Sequence, residues 1–224
     1  LSSCDCVLVW YLYVMLTQLN NRYFGLRHGH SEANEAGIVV SNPEVGTSRY
    51  GLTDLGRDQV VASLRENRCL GSDTLIVCSD FKRAVETAEI AQTMLTASVP
   101  RTDARLRERY FGMWDMKSSS GYETVWDQDA LDPTQTIGDV ESPAGVSERV
   151  GALIASIEAE EAGRRVLLVS HGDTLHLAQA LFEGRCPSQH RQIQHWETAE
   201  LRELVSPSVR VLPVANANNL DDKS

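Results

Sequence analysis

The sequence predicts an α/β fold, a three-layer sandwich in which a mainly parallel central sheet is flanked by helices. Three short apolar runs, at 22–26, 74–79 and 164–170, have the length and the content of Val, Leu and Ile typical of buried strands. A stretch with helical periodicity precedes the run at 74–79, and further helical stretches follow the runs at 74–79 and 164–170. Strands that alternate with helices form parallel sheets that are covered on both faces.

The first half of the chain supplies two of these strands and two helices. The strand "RYFGL" (22–26) runs into the turn "RHGHSEAN", and a loop rich in Gly, Ser and Asn covers 37–51. Thr53 is the predicted N-cap of a helix over "LTDLGRDQVVASLREN". After the strand "TLIVCS" (74–79), a second helix is predicted over 82–96, with alanines along one face.

The second half begins with a less regular insertion over 112–145, rich in Ser, Asp, Gly and Pro. A helix is predicted over 145–163, with Gly163 as its C-terminal cap. The strand 164–170 and a helix over 174–184 follow. "AELRELVS" and "VRVLP", near the end of the chain, are predicted edge strands.

The domain organisation is predicted to be one domain over 22–213 that contains the insertion 112–145, followed by a disordered tail at 214–224. Residues 1–21 form an apolar extension. Its run "VLVWYLYVML" is too short to span a bilayer. We expect this segment to be an added helix or strand, with a remnant of a targeting sequence as the alternative, and it offers a possible homodimer interface.

Composition restricts the partners. The chain has 224 residues and a formal net charge of −10, which argues against binding to nucleic acid. A small phosphorylated substrate stays compatible, because it needs only a few local cations. The five cysteines form no CxxC pair, which favours a reducing compartment and a cytoplasmic location.

Charged and nucleophilic residues follow all three buried strands. Arg27 and His28 follow the first, Arg83 lies just after the second, and His171 follows the third. In parallel sheets, ligands bind beyond the carboxyl ends of the strands, so these side chains are expected to converge there.

The residue types at this rim suit phosphoryl transfer. Arginine forks match phosphate oxygens, so Arg27 and Arg83 are predicted to clamp a phosphoryl group. A neutral imidazole can attack phosphorus and form a phosphohistidine. Glu108, in "RLRERYFGMWD", could protonate the leaving oxygen and then activate water.

Four motifs in this order, "RHGHSEAN", "SDFKRAVETA", "LRERYFG" and "SHGDTL", resemble those of the histidine phosphatase superfamily, also called phosphoglycerate mutase-like. The resemblance implies that His28 is the phosphorylated nucleophile and Glu108 the proton donor. It places Arg27, Arg83 and His171 around the phosphate, and it requires no cofactor and no metal ion.

The resemblance also assigns substrate contacts. Asn34 would help to hold the phosphate, although the residue type alone suggests a helix start. Ser31 and the backbone of Gly172 are predicted to touch substrate, with helix capping as the alternative for Ser31. His30, where this family often has Gln or Glu, is predicted to lie near the mouth without a catalytic role.

Three positions depart from the family pattern. Asp80 stands where many members have proline, and Asp115 and Met116 replace the more common Glu and Gly after the tryptophan of "FGMWDMKS". None of them is a predicted catalytic position, so these departures bear on substrate choice.

The predicted reaction is hydrolysis of phosphomonoesters through a phosphohistidine. The segment between Glu108 and His171 is shorter than in mutases of this family, and 112–148 is rich in acidic residues, which would repel a second phosphate. Phosphoglycerate mutase-type transfer, sugar-bisphosphate hydrolysis and a non-catalytic phosphate-binding role stay as alternatives. A metal-dependent hydrolase is disfavoured, because two arginines would repel the cation.

Overall fold

The structure is a computed structural model that describes residues 19–205. The apolar run 7–16, the predicted strand "VRVLP" and the tail 214–224 lie outside the described residues. In the described part, none of the helices is long and apolar enough to cross a membrane.

The strands and helices alternate along the chain as expected. The strands are β1 (Arg22–Arg27), β2 (Leu75–Cys78), β3 (Arg101–Thr102), β4 (Arg165–Ser170) and β5 (Leu201–Leu204). The α-helices are α1 (Glu32–Glu35), α2 (Pro43–Gly46), α3 (Asp54–Glu66), α4 (Lys82–Leu95), α5 (Tyr122–Leu131), α6 (Pro143–Glu160) and α7 (Gly172–Phe182). Short 3₁₀ helices lie at Ala104–Leu106, Gly112–Trp114, Ser119–Gly121, Ile137–Asp139 and Pro187–Gln192.

The strands form one sheet in the order β3-β2-β4-β1-β5. β1, β2, β3 and β4 are parallel, and β5 pairs with β1 in the antiparallel sense, as an edge strand. The order is important for function because β2, β4 and β1 are direct neighbours. Their carboxyl ends therefore lie side by side.

Two hydrophobic cores lie on opposite faces of the sheet, so the predicted three-layer sandwich is confirmed. Val166 and Leu168 of β4 face α6 and α7, whereas Leu167 and Val169 face α3 and α4. A strand that is buried on both faces is typical of the centre of a parallel sheet, which explains its unbroken apolar sequence.

The sequence correctly predicts the start of α3, but it does not correctly predict the end of α6. Thr53 caps α3 by accepting a hydrogen bond from the backbone N–H of Gly56. The prediction that Gly163 caps the helix before β4 is wrong, because α6 ends at Glu160 and its cap is the extended residue Glu161. Gly163 has a φ of +71° and serves the turn into β4 instead.

The insertion 112–145 is more ordered than predicted, since it contains the helix α5. The segment has a weak apolar periodicity, and only Val125 and Asp129 of this helix are buried. Val125 packs with Val39, Phe111 and Val140 in a small third core. Contacts with the rest of the molecule, rather than local propensity, hold this helix.

Candidate active site

The ends of β1, β2 and β4 bring together the predicted catalytic residues. The rings of His28 and His171 meet edge to face, with their centroids 5.2 Å apart. Arg83 reaches the same point from the start of α4, and its Nε donates to Nε2 of His28 at 3.0 Å. His28, His171 and Arg83 are all buried. Residues that are far apart in sequence thus form one compact cluster.

His28 is held in the tautomer that suits a nucleophile. Its Nδ1 lies 2.8 Å from the carbonyl oxygen of Gly29, which can only accept, so Nδ1 carries the proton and Nε2 has the lone pair. Burial, followed by the positive charges of Arg83 and Arg27, lowers the pKa of His28 well below its usual value. The imidazole is therefore neutral at physiological pH.

The loop that carries His28 lies close to the start of α3. A side chain at Gly29 would clash with the carbonyl group of Gly56, and a side chain at Gly56 would clash with the backbone of His30. Glycine at both positions permits this close approach.

Several buried polar atoms around His28 have no partner among residues 19–205. They are Nε of Arg27, Nη1 of Arg83 and Nδ1 of His171. Buried polar groups are nearly always hydrogen-bonded, so three unpaired ones around one point indicate a place for a ligand. Burial lowers the pKa of Arg83 to about 10, so its guanidinium stays charged at neutral pH and favours an anion.

Glu108 lies on the other side of the cluster, after the 3₁₀ helix Ala104–Leu106. One carboxylate oxygen accepts from the backbone N–H of Arg109 at 3.0 Å and lies 3.3 Å from the hydroxyl of Thr174. Burial and the negative charge of Asp173 raise the pKa of Glu108 above its usual value, although Arg83 opposes this. A carboxyl group in this setting can hold a proton for transfer.

Two further segments form walls beside the cluster: the helix α5, which the sequence analysis did not predict within the insertion 112–145, and a segment near the end of the domain that it did not single out. α5 contributes Tyr122 and Trp126, whose rings stack in parallel with centroids 5.1 Å apart. Burial and the charges of Glu108 and Asp173 raise the pKa of Tyr122. The second segment, Pro187–Gln192 and the residues after it, places Arg191 beside Trp126.

A buried ionic network connects these walls to the site. Arg109 forms two hydrogen bonds with the carboxylate of Asp129 in α5, at 2.6 and 2.7 Å, and a third with Asp173 at 3.2 Å. Nε2 of His190 lies within 4 Å of both carboxylates. Although burial opposes it, the neighbouring His190 and the charged Arg109 lower the pKa of Asp173 to about 2, so this residue is ionised.

Ser31 and Asn34 lie at the start of α1, where they form a capping box. The Asn34 amide oxygen accepts from the Ser31 hydroxyl at 2.8 Å and from its backbone N–H at 3.0 Å. Ser31 thus has the capping role that the residue type suggests. Asn34 is exposed, and its role in holding phosphate stays a prediction.

Gly172 and His30 complete the predicted set. Gly172 is the first residue of α7, and a Cβ there would lie 3.6 Å from the guanidinium carbon of Arg27. His30 contacts the start of α3, where its Nδ1 lies 3.0 Å from the hydroxyl of Thr53. The structure therefore gives His30 a local structural contact near the helix start.

Two of the three departures from the family pattern have structural explanations, and the third, Met116, has none. Asp80 accepts two hydrogen bonds from Arg107, at 2.8 and 2.6 Å, and so connects the loop before Arg83 to the segment before Glu108. Asp115 accepts from the backbone and hydroxyl of Ser41 and from the backbone of Asn42. Met116 has a φ of +59°, a conformation that favours glycine.

The acidic residues of 112–148 do not form a uniformly negative lid. Asp129 points inward to Arg109, Asp115 is tied to the 41–42 backbone, and Glu141 pairs with Arg149 at 2.7 Å. The charge argument against a second phosphate is therefore weaker than the composition suggests. The sequence contained a signal for each of the two wall segments that the sequence analysis missed. These signals were the aromatic pair at i, i+4 in "YETVW" and the basic run "HRQIQH".

Comparisons with known proteins identify the family. Residues 24–210 match the histidine phosphatase superfamily (branch 1). A probable phosphoglycerate mutase of Salmonella arizonae is 34% identical over 155 residues, which cover 67% of this chain and 69% of the relative. A glucosyl-3-phosphoglycerate phosphatase of Mycobacterium tuberculosis is 33% identical over 164 residues, which cover 66% and 68%.

Solved structures agree with this result. The native structure of a mycobacterial glucosyl-3-phosphoglycerate phosphatase has a TM-score of 0.66 and 27% identity, and the match covers 80% of this chain and 87% of that one. A complex of this phosphatase with VO3 also has a TM-score of 0.66, with 90% of that chain covered. The chain belongs to the histidine phosphatase superfamily, so the predicted family and fold are confirmed.

Proposed function

We propose that this chain hydrolyses phosphomonoesters through a covalent phosphohistidine on His28, without a metal ion. The observation that carries the proposal is the pairing of a buried, neutral His28, its Nε2 facing Arg83, with unpartnered polar atoms of Arg27, Arg83 and His171. A nucleophile and several phosphate ligands thus meet at one point. The family membership supports the same chemistry.

In the first step, the lone pair on Nε2 of His28 attacks phosphorus, and the bond from phosphorus to the alcohol oxygen breaks. The Arg83 Nε–H, which donates to Nε2 in the free protein, turns to a phosphate oxygen when substrate binds. Arg27 and Arg83 stabilise the charge on the transferring group. Glu108 gives its proton to the leaving alcohol, which departs neutral.

In the second step, water attacks the phosphohistidine. The Glu108 carboxylate takes a proton from this water, the N–P bond breaks, and the electron pair returns to Nε2 of His28. Inorganic phosphate leaves, and Glu108 is protonated again. Positive charge around the site compensates the phosphate charge in both steps.

The raised pKa of Glu108 suits both of its tasks. A carboxyl group with an ordinary pKa would be ionised at neutral pH and could not protonate the alcohol. Burial and the ionised Asp173 favour the neutral acid in the free enzyme, and the bound phosphate adds further negative charge.

A matched set of variants tests this function. The native chain should hydrolyse p-nitrophenyl phosphate with EDTA present, and His28→Ala should abolish turnover. His30→Gln serves as the control, because this histidine contacts Thr53 outside the catalytic cluster. Activity that disappears with EDTA, or that persists in His28→Ala, would contradict the phosphohistidine route.

Phosphoryl transfer of the phosphoglycerate mutase type is a second candidate, favoured by the relatives that carry this name. Release of inorganic phosphate from 3-phosphoglycerate without formation of 2-phosphoglycerate would support the hydrolase. Conversion to 2-phosphoglycerate would support the mutase. The hydrolase is preferred because a relative of similar identity is named a phosphatase and the segment from Glu108 to His171 is short.

We also propose the remaining features of the chain on sequence grounds. They are a single domain over 22–213, a small phosphorylated substrate rather than nucleic acid, no required cofactor and a cytoplasmic location. Among residues 19–205, no group of three or more His, Cys, Asp or Glu side chains is placed to hold a metal ion. The EDTA experiment tests metal independence directly.

A further inference from the structure

A second group of basic side chains lies beside the proposed catalytic cluster. Arg191, on the Pro187–Gln192 segment, places its guanidinium carbon 3.6 Å from the centre of the Trp126 ring. Its side chain is 26% exposed, so part of it is accessible to solvent. Stacking on a tryptophan fixes the plane of the arginine, which reduces the entropy that it loses on binding.

The hydrogen-bond donors of Arg191 lack good acceptors in the described part of the chain. Its Nη1 lies 3.3 Å from Nδ1 of His176, but this nitrogen already donates to the carbonyl oxygen of Gly172 at 2.7 Å. Two donors therefore face each other. Oδ1 of Asp173 lies 3.6 Å from Nη1 of Arg191, which is within ion-pair distance but too long for a hydrogen bond, and this carboxylate already accepts from the Trp126 indole.

Two further basic groups lie next to Arg191. His195 is exposed, and its Nε2 lies 3.5 Å from Nη1 of Arg27. His176 connects this histidine to Arg191: its Nδ1 lies 3.3 Å from Nη1 of Arg191, and its ring centroid lies 5.6 Å from that of His195. Burial and the positive charges of Arg27 and Arg191 lower the pKa of His195. Because Arg27 also belongs to the catalytic cluster, this region adjoins the position of the transferred phosphoryl group.

We propose that Arg191, together with Arg27 and His195, binds a second anionic group on the alcohol part of the substrate. This inference rests on the proposed function and narrows its substrate class to phosphomonoesters whose alcohol carries a carboxylate or a second phosphate. A guanidinium with unpaired N–H groups in a fixed plane suits either anion, because both accept paired hydrogen bonds.

Matched substrate pairs test the proposal. 3-Phosphoglycerate and glycerol 3-phosphate differ by one carboxylate, and fructose 1,6-bisphosphate and fructose 6-phosphate differ by one phosphate. In the native chain, kcat/KM should be higher for the member with the extra anion in at least one pair. The pair that shows the preference identifies the anion.

Arg191→Ala should lower that ratio of kcat/KM values about 10- to 100-fold, the value of a charge-assisted hydrogen bond. Arg191→Lys should retain part of the ratio, since it keeps the charge and loses the planar fork. Arg185→Ala, two residues before the Pro187–Gln192 segment, is the control. Arg185 is exposed and pairs with Glu183, so its loss should leave the ratio at the native value.

Two results would overturn the proposal: the native chain shows no preference in either pair, or Arg191→Ala lowers kcat/KM equally for both members of the preferred pair. The second result would mean that Arg191 has only a structural role, as a packing partner of Trp126 in α5. Failure of the proposed function is distinguishable, because then no substrate, p-nitrophenyl phosphate included, would release phosphate. In that case, calorimetric titration of the native chain and Arg191→Ala with each pair measures the same preference as a ratio of Kd values.

Discussion

Replacing Asp129 by asparagine should weaken the attachment of α5 to the rest of the molecule. Asp129 receives two hydrogen bonds from Arg109, and both side chains are fully buried. The substitution keeps the shape of the side chain and removes its charge. Arg109 then keeps a carboxylate partner only in Asp173.

The structure sets the size of the effect. Removing one partner of a buried ion pair costs about 3–5 kcal/mol, because the other charge is left in a medium of low polarity. Asp173 lies 3.2 Å from Nη1 of Arg109 and still neutralises part of its charge. We therefore expect the lower end, a loss of about 3 kcal/mol in the free energy of unfolding.

Urea denaturation followed by tryptophan fluorescence measures this loss. With an m value of about 2–3 kcal/mol per molar urea, the midpoint should fall by about 1 M. Asp127→Asn, on the exposed face of the same helix, is the control and should change the free energy by less than about 0.5 kcal/mol. A similarly small effect for Asp129→Asn would refute the reasoning about the buried pair.

Three further predictions follow from the same geometry. Asp173→Asn removes the negative charge that helps to raise the pKa of the proposed acid, so the alkaline limb of the pH–rate profile should move to lower pH; an unchanged limb would show that burial alone sets this pKa. The pKa values of His28 and His171 are lowered in the folded state, so below about pH 6.5 the unfolded chain binds more protons than the folded one. The free energy of unfolding should therefore fall as the pH falls below that value, by up to about 1.4 kcal/mol per pH unit for each residue. Urea midpoints at pH 7 and pH 5.5 should show this loss, and a midpoint that rises on acidification would contradict it. Met116→Gly should relieve the left-handed backbone and stabilise the chain by about 0.5–1 kcal/mol in the same urea assay, whereas a lower midpoint would indicate that the side chain contributes more than the strain costs.

The parts that the sequence predicted well are those specified by local pattern or by strand order. The unbroken apolar run of β4 predicted a strand buried on both faces, and Thr53 predicted the start of α3. The convergence of His28, Arg83 and His171 followed from their positions after parallel strands. Each inference depended on only a few neighbouring residues and one general rule of sheet architecture.

The parts that it did not predict depend on contacts between distant segments. α5 has little apolar periodicity, and it is held by Asp129 and Trp126, whose partners lie far away in sequence. The sequence did not indicate a binding role for Arg191, because the fold alone places its guanidinium on the Trp126 ring. The sequence showed that 112–148 is rich in acidic residues, but it did not show which of their side chains point into the protein. Nothing in the local sequence indicated that Asp129 points inward.

The central claim is the covalent intermediate on His28, and trapping it is the most direct test. The native chain would be mixed with substrate and quenched in alkali, in which phosphohistidine survives, and its peptides would be analysed by mass spectrometry. The account predicts one phosphoryl group on the peptide that contains His28, with none in His28→Ala. A native enzyme that hydrolyses the substrate without a phosphorylated peptide, or with the phosphoryl group on another residue, would contradict it.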